Sequence, residues 1–290
     1  MNNDQVISSL VAVKLSRSFW DGKVDRKDKA RQLENTENTR SRIVTTKVKV
    51  LPTEFASRVG VPFSKVYQFW KENSLPWEDE GWRVVTAAKF LQLQDGVDRL
   101  MGDCKAAVEW LLDNYDQARE AARHQCGNLF RDDDFPSQSD LRAKYAVSFD
   151  FRPIQSVKDA RIEGMRDDLN DTMRRKMKAD YDKKLEATVS DIIARVGDLL
   201  RDLRDRLVDD KQDGVKYGGW AKMAKRIIEA VDGLNVTGNQ TVEAVLAKTR
   251  AIADELSGAG AESVRQNHAT RAGKIAKVNS VLDEIANFGA

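Results

Sequence analysis

The chain of 290 residues is rich in charge and poor in aromatic side chains: 32% of its residues are charged and 7% are aromatic. This composition is typical of proteins built from long, solvated helices. The formal net charge is only +2, which excludes a uniform field that would draw nucleic acid or a membrane to the whole molecule.

Charge is distributed unevenly along the chain. Residues 14–49 carry eleven Lys or Arg against five Asp or Glu, whereas residues 75–140 carry seven against fourteen. Either the two stretches pair with each other, within the fold or between subunits, or the basic stretch meets an outside ligand. No apolar run approaches the roughly eighteen residues of a membrane span, and no signal-peptide pattern opens the chain. We therefore expect a cytoplasmic protein without a membrane partner and with reduced thiols at Cys104 and Cys126.

The first half of the chain contains two strand patterns among residues that favour helix. Alternation of apolar and polar residues predicts one strand around Val11, Val13 and Leu15 and a second around residues 145–152. Because isolated strands need a partner, we expect these two to pair in a small two-stranded antiparallel sheet. Pro62 marks a position at which a helix could begin. These elements define a predicted mixed helical domain over residues 1–153.

The strongest pattern predicts one long amphipathic helix over residues 157–210. An apolar stripe first recurs every four residues, which makes it wind around the helix; its members are Met165, Leu169, Met173, Met177, Tyr181, Leu185 and Val189. The stripe then follows steps of three and four, as a coiled-coil seam requires. We predict that this seam binds a partner helix; its residues are Ile193, Val196, Leu200, Leu203 and Leu207.

Further helices are predicted over residues 241–256 and 261–288, joined by a short connection that favours antiparallel packing along the long helix. Residues 154–290 thus form a second predicted domain. The expected fold is mainly α: an elongated helical protein with a long coiled-coil-like helical hairpin and a small two-stranded antiparallel sheet.

No pattern of residues indicates catalysis. Phosphate-binding glycine loops and nucleophile-elbow motifs do not occur in the sequence. The two histidines, His124 and His268, do not stand at metal-ligand spacing from cysteines. The aspartates 132–134 lack the oxygen ligands of a cation-binding loop. We therefore expect no enzyme activity, no cofactor and no metal.

One segment mixes aromatic and basic residues in a way that favours nucleic-acid contact, through base stacking and phosphate binding. Its candidate residues are Lys216, Tyr217, Trp220, Lys222, Lys225 and Arg226. The amino-terminal basic stretch offers a second patch, with Lys23, Arg26, Lys27, Lys29, Arg31, Arg40 and Arg42. The alternative is structural: Trp220 anchors a helix in the core, and the basic residues pair with the acidic middle of the chain.

Several short motifs resemble a known family. They are Leu15 to Gly22, which ends in Phe19-Trp20-Asp21-Gly22; Leu75-Pro76-Trp77 with Gly81-Trp82; and Phe135-Pro136 leading into Leu141-Arg142 and Lys144-Tyr145. On these residues, and over most of its length, the chain resembles a family of phages and integrative elements that is known only as a domain of unknown function.

Members of that family are often encoded beside a MoxR-like AAA+ ATPase and sometimes near recombination genes. The resemblance implies an adaptor, regulator or self-assembling component in the bacterial host cytoplasm, with an AAA+ ATPase or a host factor as partner, but assigns no role to any residue. The alternative function is a nucleic-acid-binding accessory protein in replication, recombination or counter-defence.

Overall fold

The computed structural model describes residues 3–39, 43–208, 217–232, 235, 238–257 and 259–288, and these are mainly helical. The helices are α1 (Asn3–Ser8), α2 (Lys27–Thr36), α3 (Thr53–Glu72), α4 (Ala87–Asp113), α5 (Tyr115–Cys126), α6 (Gln138–Ala143), α7 (Asp167–Val208), α8 (Tyr217–Asp232), α9 (Gln240–Glu255), α10 (Ala259–Gln266) and α11 (His268–Phe288). The strands are β1 (Leu10–Ser18), β2 (Lys23–Asp25), β3 (Lys47–Lys49), β4 (Leu75–Pro76), β5 (Arg83–Thr86) and β6 (Ala146–Pro153).

Two sheets accompany the helices. The first has the strand order β4-β5-β1-β6, so the two predicted strands, β1 and β6, are neighbours as expected. β5 adds to β1 in antiparallel register, with Leu10 opposite Thr86 and Val13 opposite Arg83. The sequence did not predict β4 and β5 because two and four residues are too few to display an alternating pattern. The second sheet is the two-stranded antiparallel pair β2–β3.

The chain forms two compact units, and both are discontinuous in sequence. Unit 1 comprises residues 1–14, 71–93 and 150–290, and unit 2 comprises residues 15–70 and 94–149. This division differs from the predicted boundary at residue 153, because the first 153 residues contribute to both units. The chain passes from one unit to the other inside β1, α3, α4 and β6. No Pro- or Gly-rich linker therefore marks the crossings in the sequence.

The long helix is present, but it begins ten residues later than predicted. α7 starts at Asp167, whereas residues 157–166 form turns and irregular backbone. Gly164 adopts a left-handed conformation with φ of 77°, which a continuing α-helix cannot contain. The Asn170 side chain fixes the turn, since its amide oxygen accepts from the Ile162 N–H at 3.1 Å and its amide nitrogen donates to the Met165 carbonyl at 3.1 Å. The predicted end at residue 210 lies outside the described residues.

The core of unit 1 is a helical bundle in which α7 packs against α8, α9 and α11. The buried side chains of α7 are concentrated between Leu185 and Leu207. Helices α9 and α11 correspond to the predicted carboxy-terminal pair, although residues 259–288 are split at Asn267. The side-chain oxygen of Asn267 accepts from the Thr270 N–H at 3.2 Å and so caps the start of α11.

Unit 2 is held by aromatic and charged contacts around α3, α4 and α5. Phe55 of α3 stacks on Trp110 of α4 with ring centroids 5.6 Å apart. Pro62, predicted to begin a helix, lies inside α3. Arg26 is buried, pairs with Asp134 and donates to the Leu129 carbonyl at 2.7 Å. That ion pair is of the kind expected between the basic stretch and the acidic middle of the chain.

Candidate functional site

The predicted seam lies in the core of the bundle. Its residues Ile193, Val196, Leu200, Leu203 and Leu207 are each at most 5% exposed. Because helices of the same chain cover them, the seam pairs in cis and has no free surface for a separate partner. The spacing of the apolar residues correctly identified a face that packs against other helices. A separate partner would have to bind a different surface.

The predicted aromatic and basic segment is also occupied by internal contacts. Trp220 is 3% exposed, and its indole N–H donates to the Leu199 carbonyl at 3.3 Å, so no base can stack on it in this conformation. Lys225 pairs with Asp254 at 2.7 Å and Arg226 with Glu72 at 3.4 Å, while Lys222 is exposed. Lys216 lies outside the described residues. Tyr217 begins α8, but its side chain is likewise outside the description.

A different apolar surface is found on the amino-terminal half of α7. Between residues 167 and 184, Asn170 is the one buried residue. The winding stripe continues through this half, with Leu169 49% exposed and with Met165, Met173, Met177 and Tyr181 half-buried. The first part of the predicted stripe therefore behaves differently from the second, which the bundle covers fully.

The segment before α7 folds back along this half of the helix and covers part of the stripe. The hydroxyl of Tyr181 donates to the Gln155 carbonyl at 3.1 Å, and the Arg174 guanidinium donates to the Ala160 carbonyl at 3.0 Å. With the Ile162 to Asn170 hydrogen bond, these contacts make the segment antiparallel to α7. Ile162 is still 48% exposed. We call the exposed and half-exposed apolar residues here the methionine surface: Ile162, Met165, Leu169, Met173 and Met177.

An aromatic and charged cluster closes the carboxy-terminal end of the methionine surface. The rings of Trp77 and Tyr181 are 5.7 Å apart, and the Lys184 ammonium lies 5.5 Å from the Trp77 centroid. Glu78 accepts from Arg152 at 2.6 Å, while Arg152 lies over Trp82 at 4.2 Å. Burial, followed by the charges of Glu78 and Asp180, raises the pKa of the Tyr181 phenol. The cluster joins α7 to the turn after β4. Its phenol is held in the neutral form, and its charged side chains are paired with one another.

Burial explains the raised pKa values of a thiol and a phenol in unit 2. Burial raises the pKa of the Cys104 thiol to about 11 and that of the Tyr115 phenol to about 12. The Tyr115 hydroxyl donates to the Pro136 carbonyl at 2.8 Å, and that of Tyr145 to the Trp20 carbonyl at 3.0 Å. Packing, together with a main-chain hydrogen bond for each of the two tyrosines, favours the neutral forms of these groups.

Potential metal ligands are dispersed or already paired. Among the described residues, no group of three His, Cys, Asp or Glu side chains is placed to hold a metal ion. Within the aspartate run 132–134, Asp132 binds Arg119 at 3.0 Å, and Asp134 binds Arg26. Two of the three aspartates therefore already have arginine partners.

One cavity of about 580 Å³ lies in unit 1 between α7 and the ends of α9 and α11. It is lined by Asp182, Leu185, Glu186, Val189, Ser190, Asn239 and Phe288. Carboxylates and apolar side chains of this kind suit neither a phosphate nor a nucleotide, since both carry negative charge.

Comparison with known proteins adds no relative. No family model, no curated protein and no solved structure matches the chain. The resemblance to the phage family thus rests on the sequence motifs alone. No helix in the described ranges is long and apolar enough to cross a membrane.

Proposed function

We propose that this chain is a non-enzymatic protein-interaction protein, an adaptor or regulator, which docks an amphipathic helix of a partner on the methionine surface. The observation that carries the proposal is the continuation of the apolar stripe of α7 beyond the bundle, where Leu169 of the stripe and Ile162 of the segment before α7 are each about half exposed.

The lengths of the helices explain why this surface is left open. α7 has 42 residues, whereas α8, α9 and α11 have 16, 16 and 21. At about 1.5 Å per residue, α7 spans about 63 Å and the longest of the three about 31 Å. The three helices can therefore cover about half of α7. Residues 167–184 keep an apolar stripe that a partner helix can complete.

The chemistry of the surface favours a helix as occupant. Apolar residues at every fourth position form the ridge that inserts into the groove of a second helix at a crossing angle of about −50°. Methionine side chains are unbranched and adapt to the shape of the partner. The exposed flanking residues include Lys176, Lys178 and Asp180, so the rim carries both signs of charge. A partner helix with an apolar stripe and a mixed-charge rim fits this arrangement.

The resemblance suggests where such a partner is found. A MoxR-like AAA+ ATPase or a host factor in the bacterial cytoplasm is the first candidate, and self-association through the same surface is the second. Both predict that the apolar ridge is the contact. The nucleic-acid alternative loses the support of Trp220, because its indole ring lies in the core.

The test is site-specific photo-crosslinking in the phage-infected host, with the crosslinking amino acid placed at Leu169. Val208, exposed at the carboxy-terminal end of the same helix, is the matched control position. We expect a crosslinked partner at position 169 and none at 208. The partner is then purified and its affinity measured with Leu169→Glu and Val208→Glu variants.

The two variants should separate docking from general charge effects. Losing the contact of one large apolar side chain, about 1.5–3 kcal/mol, weakens binding by about 10- to 100-fold. Leu169→Glu should show this loss and Val208→Glu should bind like wild type. Equal affinity for both variants, or a chain that crosslinks to nothing at 169, would disprove docking on the methionine surface.

A further inference from the structure

A basic surface forms in unit 2 that is separate from the methionine surface and from the sequence-predicted segment around Trp220. β2 and β3 pair so that Lys23 stands opposite Lys49 and Asp25 opposite Lys47. All four side chains are exposed, whereas Val24 and Val48 are half-buried. Because alternate residues of a strand point to the same face, three lysines and one aspartate share the outer face of the hairpin.

Helix α2 follows β2 directly and carries further exposed basic residues. Its first residue follows directly after Arg26, whose N–H donates to the Thr46 carbonyl at 2.8 Å. The buried Glu34 carboxylate accepts from the N–H of Ile43 at 3.0 Å, so both ends of α2 are fixed to the chain that leads into β3. Lys27 and Arg31 are exposed, and their spacing of four places them on one side of the helix. We name Lys23, Lys27, Arg31, Lys47 and Lys49 the hairpin surface.

Two carboxylates near the hairpin surface are engaged elsewhere, a third, Asp21, pairs with Lys23 of that surface, and Asp25 is exposed on the hairpin face. Asp28 pairs with Arg131 at 2.7 Å, and Glu34 is buried. Asp21 accepts from the Lys23 ammonium at 2.8 Å, and this hydrogen bond lowers the pKa of that carboxyl. Across the described residues, Lys27, Arg31 and Lys47 have no acidic partner. The Lys49 ammonium binds only the hydroxyl of Thr53 here, at 3.1 Å.

The arrangement calls for a ligand of high negative charge density. Two like charges that lie directly opposite each other destabilise a pair of strands. Lys23 of β2 and Lys49 of β3 are such a pair. Lys47 and Lys49 are about 7 Å apart along their strand, a length over which duplex DNA carries about four phosphate charges. The hairpin face offers lysine and aspartate side chains and no aromatic ring, so its chemistry suits phosphates and not base edges or base stacking.

We propose that the hairpin surface binds the phosphate backbone of nucleic acid, with duplex DNA as the preferred form and without sequence preference. Arg26, which the sequence places in the same basic stretch, takes no part because it is buried against Asp134. Lys47 and Lys49, which lie at the edge of that stretch, contribute two of the contacts.

The test uses the full chain and fluorescence anisotropy with a labelled 20-base-pair duplex of mixed sequence, and with its single strand. Dissociation constants are measured between 50 and 200 mM salt. If all five residues neutralise phosphates, affinity for the duplex should fall about 500-fold over this range, since the log–log slope is about −0.9 per phosphate contact. The double variant Lys47→Gln/Lys49→Gln should reduce the slope by about 1.8.

The matched control is Lys176→Gln/Lys178→Gln, which removes the same charge from two exposed lysines at the same sequence spacing in unit 1. It should keep the wild-type slope. Absence of binding at 50 mM salt, a double variant that binds like wild type, or an equal loss in the control would overturn the proposal. Binding of poly-glutamate as tight as that of DNA would also overturn it, by assigning the surface to acidic proteins. Thermal melting of each variant verifies the fold.

Discussion

The guanidinium of Arg195 on α7 donates to the main-chain carbonyl of Ser74 at 2.8 Å and to that of Glu72 at 2.9 Å. Ser74 is fully buried, and α3 ends at Glu72. A cation from one helix thus satisfies the last carbonyls of another, where the helix dipole favours positive charge. Asp191 holds the guanidinium in place at 2.7 Å.

The first prediction is that Arg195→Ala lowers the free energy of unfolding by about 1–3 kcal/mol, because it removes the guanidinium donor of the Glu72 carbonyl and one of the two arginine donors of the buried Ser74 carbonyl, which Arg83 also reaches at 2.6 Å. Chemical denaturation monitored by circular dichroism measures the change. Arg204→Ala is the control, since among the described residues Arg204 pairs with its exposed neighbour Asp205 alone, and it should cost at most about 0.5 kcal/mol. Similar losses for both variants would mean that the Ser74 contact contributes nothing specific.

The second prediction contrasts two leucines of the same helix. Leu200 is fully buried in the bundle, whereas Leu169 is 49% exposed on the methionine surface. Leu200→Ala should reduce stability by about 2–5 kcal/mol, since it opens a cavity in the core. Leu169→Ala should change it by no more than about 0.5 kcal/mol. Thermal unfolding of both variants measures the two stability losses. If both losses were small and equal, Leu200 and the seam would be exposed and not buried in the core.

What the sequence predicted well is what short-range periodicity determines. The buried seam of α7 follows from helical spacing, and β1 and β6 follow from alternation. The helix start was wrong because Gly164 and the Asn170 side chain define it through contacts that no periodic pattern contains. Pro62 was misplaced because a proline is most often found in a first turn, yet α3 tolerates it in the interior.

The candidate surfaces were harder to predict, for a different reason. Spacing shows that Leu200 and Leu203 share a face, but not whether a helix of the same chain covers it. The hairpin surface depends on the register that sets Lys23 opposite Lys49, and that pairing joins residues about two dozen positions apart. The residues around Trp220 have a composition that suits nucleic acid. Only the burial of Trp220 and its hydrogen bond to Leu199 show that it anchors a helix in the core.

The third prediction concerns Gly22, the last residue of the Phe19–Gly22 motif. Its φ is 72°, and a Cβ added there would lie 2.3 Å from the Cβ of Leu51. Gly22→Ala should therefore destabilise the chain by about 2–4 kcal/mol through backbone strain and overpacking. Gly102, inside α4 with open space around it, is the control: Gly102→Ala should stabilise by up to about 1 kcal/mol. Denaturant midpoints measure both, and a harmless Gly22→Ala would contradict the left-handed turn before β2.

The fourth prediction is a pH dependence that arises at the end of α9. Glu255 accepts hydrogen bonds from Lys274 and from Lys277, the latter at 2.8 Å, both on α11. These bonds hold the pKa of the Glu255 carboxyl below its ordinary value of 4.5. Because the folded pKa is depressed, the stabilisation is fully present above about pH 4.5 and is lost as the pH falls through the folded value.

Glu255→Gln should accordingly melt at a lower temperature than wild type at pH 7, and the difference should narrow as the pH falls from 5 towards 3. Differential scanning calorimetry at four pH values measures the two curves. Glu229→Gln is the control, because Glu229 is exposed on α8. Its melting temperature should change with pH in the same way as that of wild type. If the difference in melting temperature between Glu255→Gln and wild type stayed constant down to pH 3, the carboxylate charge of Glu255 would not stabilise the contact between α9 and α11.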